Sequence, residues 1–316
     1  MQKRPLGPSG LDIAPLVFGG NVFGWTADEA TSFALLDAFV DAGFNAIDTA
    51  DAYSRWVPGH EGGESETIIG RWLKARGRRD EVAILTKVGS DMGQGHNDLS
   101  PGWIERAVEA SLRRLQTDRI DLYQAHWPDP RTPQEETLRA FDRLVQAGKV
   151  RAIGVSNHDA DQVRQALDIS AREGLAAYAA IQPHYNLYSR ATFEGPLQDL
   201  AVEKGLGVIT YFSLESGFLT GKYRTGADVA GTSREGMLKD KFDERGVRVL
   251  AVLDAVARRN EAAPAQVALA WLLAQPGVTA PIVSATSTTQ LAEVLKAADL
   301  TLSDQDLAEL SQAGAV

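Results

Sequence analysis

The sequence predicts a (β/α)8 barrel, a TIM barrel, preceded by a small N-terminal β-hairpin, and three observations predict it. Short apolar or β-branched runs recur along the 316 residues, each followed by a longer stretch with helical spacing, the pattern of a parallel sheet covered by helices. Eight such units can be counted, enough to close a sheet on itself. A doubly wound open sheet would want a glycine-rich dinucleotide turn after an early strand, and Gly19-Gly20-Asn21 is too short to be one.

The elements follow in order. Residues 4–13 place a Gly- and Pro-rich turn between two short apolar pieces and read as a hairpin ahead of the first barrel strand. Strands are expected at 16–18, 46–47, 82–86, 120–124, 152–155, 179–182, 208–211 and 281–283. Among the intervening helices, 31–42 sets Leu35, Leu36 and Phe39 on one face, and 101–115 opens with Ser100 as N-cap and Pro101 in the first turn. Residues 221–245, after the seventh strand, form a polar segment too long to be a plain connection, and such loops are usually functional or disordered. One domain is expected over 1–316.

Composition removes several functions. A formal net charge of -10 with pI near 5.1 argues against sequence-blind nucleic-acid binding, which needs clustered cations. With no cysteine there are no disulfides, thiolate metal sites or Cys nucleophile. No apolar run follows Lys3 and Arg4, and none elsewhere is long enough to span a bilayer, so a soluble, cytoplasmic protein without membrane partners is expected. His96, His158 and His184 lack metal-ligand spacing, and no metal is expected.

In a barrel of this kind the active site lies where the βα loops converge, at the C-terminal ends of the strands. Asp48 follows the second strand, Tyr53 lies five residues on, Lys87 ends the third and His126 ends the fourth. These groups suit hydride transfer to a carbonyl, which leaves negative charge on oxygen and needs a proton donor within hydrogen-bond reach. Tyr53 is the candidate donor. Lys87 is expected to lower its pKa, Asp48 to keep Lys87 an ammonium, and His126 to orient the carbonyl through a ring N–H. Each residue alone has a plainer reading as a cap, salt-bridge partner or packing group, but four on one rim point to chemistry.

The segments Asn45-Ala46-Ile47-Asp48-Thr49-Ala50-Asp51-Ala52-Tyr53, Leu85-Thr86-Lys87 and Asp121-Leu122-Tyr123-Gln124-Ala125-His126-Trp127 resemble the catalytic segments of the aldo-keto reductase family. Gly154-Val155-Ser156-Asn157, Gln182 with Tyr185-Asn186, and Tyr211 followed by Leu219-Thr220-Gly221-Lys222-Tyr223 extend the resemblance over nearly the whole chain, in order. It implies an enzyme that reduces aldehydes or ketones, or oxidises the alcohols, with Asp48, Tyr53, Lys87 and His126 as catalytic tetrad. It implies NADP(H) as preferred cofactor, with NAD(H) as second choice. Ser156, Asn157 and Gln182 would hold the nicotinamide carboxamide, and the Tyr211 ring would stack on the nicotinamide. The implied cofactor cleft takes in Gly20 and Asn21 after the first strand, Phe212, Ser213, Leu214, Ser216 and Gly217 after the seventh, and Ser284 and Glu293 around the eighth.

The chain also departs from that pattern. Residues 284–294 carry no cation to meet a 2′-phosphate. The branch resembling voltage-gated potassium channel β-subunits and related bacterial reductases uses small polar groups there plus an arginine in the loop after strand seven. Arg234 is the matching arginine, with Lys222 toward the pyrophosphate and Thr286, Ser287 and Gln290 assisting at a helix N-terminus. Glu215 near a pyrophosphate would repel it unless the carboxylate points away or clasps a ribose hydroxyl. The loop 54–61 is longer than usual, and its Trp56, with Phe23, Trp25 and Trp127, is expected to wall an aromatic substrate pocket. Two other functions compete: a cofactor-binding regulatory or chaperone subunit with little turnover, and a barrel lyase using Lys87 as a Schiff base. The acidic charge and the lack of an appended N-terminal segment favour a free-standing enzyme. Oligomeric state is left open.

Overall fold

A computed structural model describes residues 2–232 and 234–315. The chain opens with β1 (Arg4–Pro5) and β2 (Asp12–Ile13), an antiparallel pair, and continues through eight parallel strands that close into a barrel. These are β3 (Val17–Gly19), β4 (Ala46–Asp48), β5 (Ala83–Val88), β6 (Ile120–Ala125), β7 (Val150–Ser156), β8 (Tyr178–Gln182), β9 (Gly207–Thr210) and β10 (Val278–Val283). They pair in sequence order, and β10 closes on β3. Helices α1 (Glu29–Asp41), α2 (Glu64–Arg76), α3 (Pro101–Leu115), α4 (Gln134–Gln146), α5 (Ala160–Glu173) and α6 (Pro196–Lys204) lie between successive strands. The β9 to β10 connection holds α7 (Gly226–Val229), α8 (Glu235–Leu238), α9 (Glu244–Arg259) and α10 (Pro264–Leu273), and α11 (Thr288–Leu295) and α12 (Asp304–Gly314) finish the chain.

The predicted barrel and hairpin are both present. The last strand begins three residues before the apolar run used to find it, because Thr279 lies within it; its hydroxyl accepts the Val208 N–H across to β9. β5 and β6 are buried at every position, as parallel strands covered on both faces must be. Helix starts follow capping chemistry: Ser100 accepts from the Trp103 N–H, and Asp159 with Gln162 forms a capping box on α5.

Two apolar layers position the site. The outer one packs the helices onto the strands; the inner one fills the barrel with Val17, Ala46, Leu85, Leu122, Ala180, Ile209 and Ala280. Leu6, Leu11 and Ile13 of the hairpin join that inner layer. Gly7 explains the close fit: at φ +53 it lies so near the barrel floor that a Cβ would come within 2.3 Å of the Ala179 carbonyl oxygen and the Gly207 nitrogen. The hairpin thus plugs the N-terminal end and leaves the C-terminal mouth for ligands. No helix among the described residues is long and apolar enough to cross a membrane.

Candidate active site

Strand register gathers the four titratable residues. Asp48 ends β4 and pairs with Leu85, two residues before Lys87, while Lys87 pairs with Gln124, two before His126. Backbone bonds from Thr49 N to Leu85 O (2.8 Å) and from Asp51 N to Lys87 O (3.2 Å) fold the loop after β4 back over the mouth, carrying Tyr53 to Lys87. Ser54, at φ +70, anchors the turn through its Oγ, which donates to Phe23 O at 2.6 Å.

Lys87 is fully buried, and its Nζ donates to Asp48 Oδ1 (2.8 Å) and Oδ2 (2.7 Å), Thr49 O (2.7 Å) and the Tyr53 hydroxyl (2.9 Å). The Tyr53 hydroxyl donates to Asp48 Oδ2 at 3.1 Å. Burial pulls Lys87 below the usual lysine range, and the Asp48 carboxylate opposes that shift. The expectation that Lys87 lowers the Tyr53 pKa is reversed. Desolvation first, then the Asp48 carboxylate, push Tyr53 well above the usual tyrosine range. The physical reason is that Asp48 already neutralises the ammonium, so the phenol faces a neutral pair in a dry place and keeps its proton. Burial and the Lys87 charge hold His126 well below the usual histidine range, so its ring is neutral. Ser90 Oγ lies 2.9 Å from His126 Nδ1; with the hydroxyl as donor, Nε2 keeps the ring hydrogen and faces the mouth as a donor. Behind Lys87, the carboxyl of Asp51 is buried with Oδ1 unpartnered, near the ion pair of buried Glu66 with half-buried Arg114 (2.7 Å).

The amide groups expected to face a nicotinamide belong to the same network. Ser156 Oγ at the end of β7 donates to Gln182 O (2.8 Å), and Asn157, at φ +59, donates to His126 O (2.9 Å). The Tyr211 hydroxyl donates to Asn157 Oδ1 at 2.7 Å. Gln182 Nε2 donates to Asp48 Oδ1 (2.9 Å) and to Gln124 Oε1 (3.4 Å). Ser90 and Gln124 were missed by the sequence reading. Ser90 carried one usable signal, its place three residues past Lys87 on the same rim.

The remaining expected residues divide. Ser284 Oγ donates to Gly19 O and Asn21 Oδ1, both at 2.8 Å, tying the ends of β10 and β3 together. Gly20 is buried, and a Cβ there would sit 2.9 Å from Ser65 Oγ and 3.1 Å from Asp48 O, so packing alone explains the glycine. Phe212 is exposed, Ser213 is buried on Thr210, and Leu214 packs on the core. Ser216 and Gly217 follow at φ +53 and +98. Lys222 Nζ lies over the Tyr223 ring at 4.6 Å, and Arg234 over Trp25 at 5.0 Å. Ser287 caps α11, and the Thr286 hydroxyl donates to Gln290 Oε1 at 3.0 Å. Glu293 accepts from Gln266 Nε2 (2.8 Å) and pairs with Lys296 (3.2 Å), so internal partners hold its carboxylate.

One residue of the expected substrate pocket is corrected. Phe23 does not wall a pocket: it is fully buried, stacked on Phe18 at 5.3 Å, because the turn at Gly20–Val22 sends it into the core. For Glu215 the structure shows the first of the two ways out of repulsion, a carboxylate that points away: it is 5% exposed and turned inward to His184 and Lys241. The other three aromatics do gather at the mouth. Trp56 meets Trp25 edge-on at 5.7 Å and Tyr53 at 6.1 Å, and Trp127 stacks on His126 at 5.9 Å. No metal-holding group of three or more His, Cys, Asp or Glu occurs among the described residues.

Residues 15–315 match the Aldo/keto reductase family. The chain is 36% identical to the "Uncharacterized oxidoreductase YrpG" of Bacillus subtilis (strain 168), the match covering 98% of this chain and 95% of that protein. It is 33% identical to "Protein tas" of Escherichia coli (strain K12), over 98% and 96%. It is also 35% identical to a "Probable voltage-gated potassium channel subunit beta" of Oryza sativa subsp. japonica, over 95% and 92%.

Proposed function

The chain belongs to the aldo/keto reductase family, and we propose that within it this protein is an NADP(H)-dependent reductase of aldehydes or ketones, also able to run the reverse oxidation. The observation that carries this reading is the contact of Lys87 Nζ with Asp48 at 2.7 Å and with the Tyr53 hydroxyl at 2.9 Å in one buried cluster at the barrel mouth. The donor set fits a nicotinamide: a half-buried aromatic ring at Tyr211, amides at Asn157 and Gln182 on adjacent strand ends, and a helix N-terminus with small hydroxyls at Thr286 and Ser287. When bound, that group supplies or takes the hydride.

The chain's own residues do the rest. Tyr53 holds a proton at rest and must turn its O–H from Asp48 Oδ2 toward the substrate oxygen to deliver it. As the phenolate forms, Lys87 Nζ is already within hydrogen-bond distance, so the stabilising charge is in place before the transition state. The neutral His126 ring donates to the carbonyl oxygen without competing as an acid. Trp25, Trp56 and Trp127 form the walls that receive an apolar substrate.

The test is NADPH oxidation with a panel of aliphatic and aromatic aldehydes, repeated with NADH. Turnover with NADPH on several aldehydes supports the enzyme. NADPH bound tightly with no turnover on any would favour a cofactor-binding subunit, a reading that the rice relative's name keeps in view.

A further inference from the structure

We propose that His184, Glu215 and Lys241 form a tether that braces the Tyr211 ring from behind and ties it to the long segment after β9, making Lys241 a positioning residue that sets how long the cofactor stays bound. The inference rests on the cofactor reading above.

His184 lies just past β8 and bridges to Tyr211 through the backbone. The two rings stack, with centroids 5.3 Å apart and planes 22° from parallel. One face of Tyr211 is therefore covered by His184, and the opposite face is the one a nicotinamide would take. His184 Nε2 lies 3.0 Å from Glu215 Oε2, and Lys241 Nζ lies 2.7 Å from Glu215 Oε1. Asn186 Nδ2 donates to the same carboxylate and to Phe212 O. Burial alone would raise the Glu215 carboxyl, but the bonds from His184 and Lys241 hold it at about 2. An ionised carboxylate only accepts, so His184 Nε2 must carry the hydrogen and the ring is fixed in tautomer and orientation.

Backbone geometry shows that the inward turn of Glu215 is held against local cost. Phe212, Glu215 and Ser216 have φ of +51, +45 and +53, a left-handed region that non-glycine side chains adopt only against steric cost. At the other end, Lys241 packs over the Tyr188 ring at 4.8 Å. Its carbonyl lies against Gly246, where a Cβ would come within 1.8 Å. Packing alone would be met by an apolar residue at position 215. A buried carboxylate with a matched histidine and lysine instead links a ring at the barrel mouth to a segment that no strand holds.

The experiment follows displacement of NADPH from the full-length protein by stopped-flow fluorescence, with far-UV circular dichroism to check the fold. Lys241→Met should speed release by about tenfold, Glu215→Gln by a similar factor, and the double variant little more than either alone. Lys241→Arg keeps the charge and should release at the wild-type rate. A brace serving stability alone would lower the melting temperature of Lys241→Met and Glu215→Gln while leaving release within about twofold of wild type well below the transition, and that result would overturn the tether. A wild-type protein that binds neither NADPH nor NADH would overturn the cofactor reading itself, and the tether with it.

Discussion

Replacing Lys87 by methionine separates stability from chemistry at the centre of the site. The ammonium makes two bonds to Asp48, one to Thr49 O and one to Tyr53, at 2.7 to 2.9 Å, and lysine and aspartate are 0% and 1% exposed. Methionine fills much of the volume but leaves the Asp48 carboxylate buried without its counter-charge. Breaking a buried pair from one side costs about 3–5 kcal/mol, far above the roughly 0–1 kcal/mol of an exposed pair. Lys87→Met should therefore lower the urea midpoint strongly, whereas adding Asp48→Asn removes the orphan charge and should restore most of the loss. Turnover should be absent from both, because neither has an ammonium to receive the forming phenolate. Urea unfolding at constant pH, paired with NADPH oxidation, reads both quantities. A single-variant cost below about 1 kcal/mol, or a double variant no more stable than the single, would refute the buried-pair reasoning.

Further outcomes follow from the same geometry. Tyr53→Phe keeps the ring and removes the proton, so turnover should fall by about 10²- to 10⁴-fold with the NADPH dissociation constant nearly unchanged; a tenth of wild-type turnover would remove Tyr53 from its role. Ser90→Ala frees His126 Nδ1 from its 2.9 Å partner and should cost about 1 kcal/mol in kcat/KM, about fivefold, read from initial rates at limiting aldehyde. Arg234 lies over Trp25 at 5.0 Å; a charged phosphate contact of about 1.5–3 kcal/mol outweighs a cation–π contact of about 0.5–1 kcal/mol, so Arg234→Ala should weaken NADPH binding about tenfold and leave NADH alone. Asp51 is pushed up to about 8 by burial and then by Glu66, against Arg114 and Lys87, so the folded state keeps a proton that the unfolded chain loses above its usual 3.8. That contribution is lost as pH rises from about 4 to about 8, at a limiting slope of about 1.4 kcal/mol per pH unit, so Asp51→Asn should gain on wild type across the window in urea titrations; parallel curves would count against it.

What the sequence made legible is what strand register alone decides. Asp48, Lys87 and His126 stand at or just past the ends of neighbouring strands, and an eight-stranded closure brings such ends together whatever the loops do. Phe23 and Trp25 show where that logic stops. Both follow the first barrel strand, but the turn at Gly20–Val22 buries one and leaves the other half-exposed, and no spacing rule distinguishes them. Glu215 was a recognisable departure whose direction depended on a run of positive φ angles invisible in residue type. The sign of the Tyr53 shift was missed because it turns on desolvation and on Asp48 being bonded to both partners, quantities that exist only once the loop is folded.

The shared carboxylate also bears on why a charged pair is kept in the barrel at all. An apolar pair of equal volume would be no less stable, and often more so. Reduction of a carbonyl under the proposed mechanism leaves an anion where the proton leaves Tyr53, and a bound nicotinamide, by supplying the hydride, would add a positive charge. Lys87 Nζ, 2.9 Å from the phenol oxygen, meets the first. Asp48 Oδ1, 2.9 Å from Gln182 Nε2, lies on the side of the amides proposed to hold the ring, and opposes the second. At rest both rings are neutral, the Tyr53 phenol held so by burial and the Asp48 carboxylate, the His126 imidazole by burial and the Lys87 charge. As reaction separates charge, only the Tyr53 O–H has to turn, each half of the pair already faces its opposite, and fixed dipoles in a dry site give that arrangement its force.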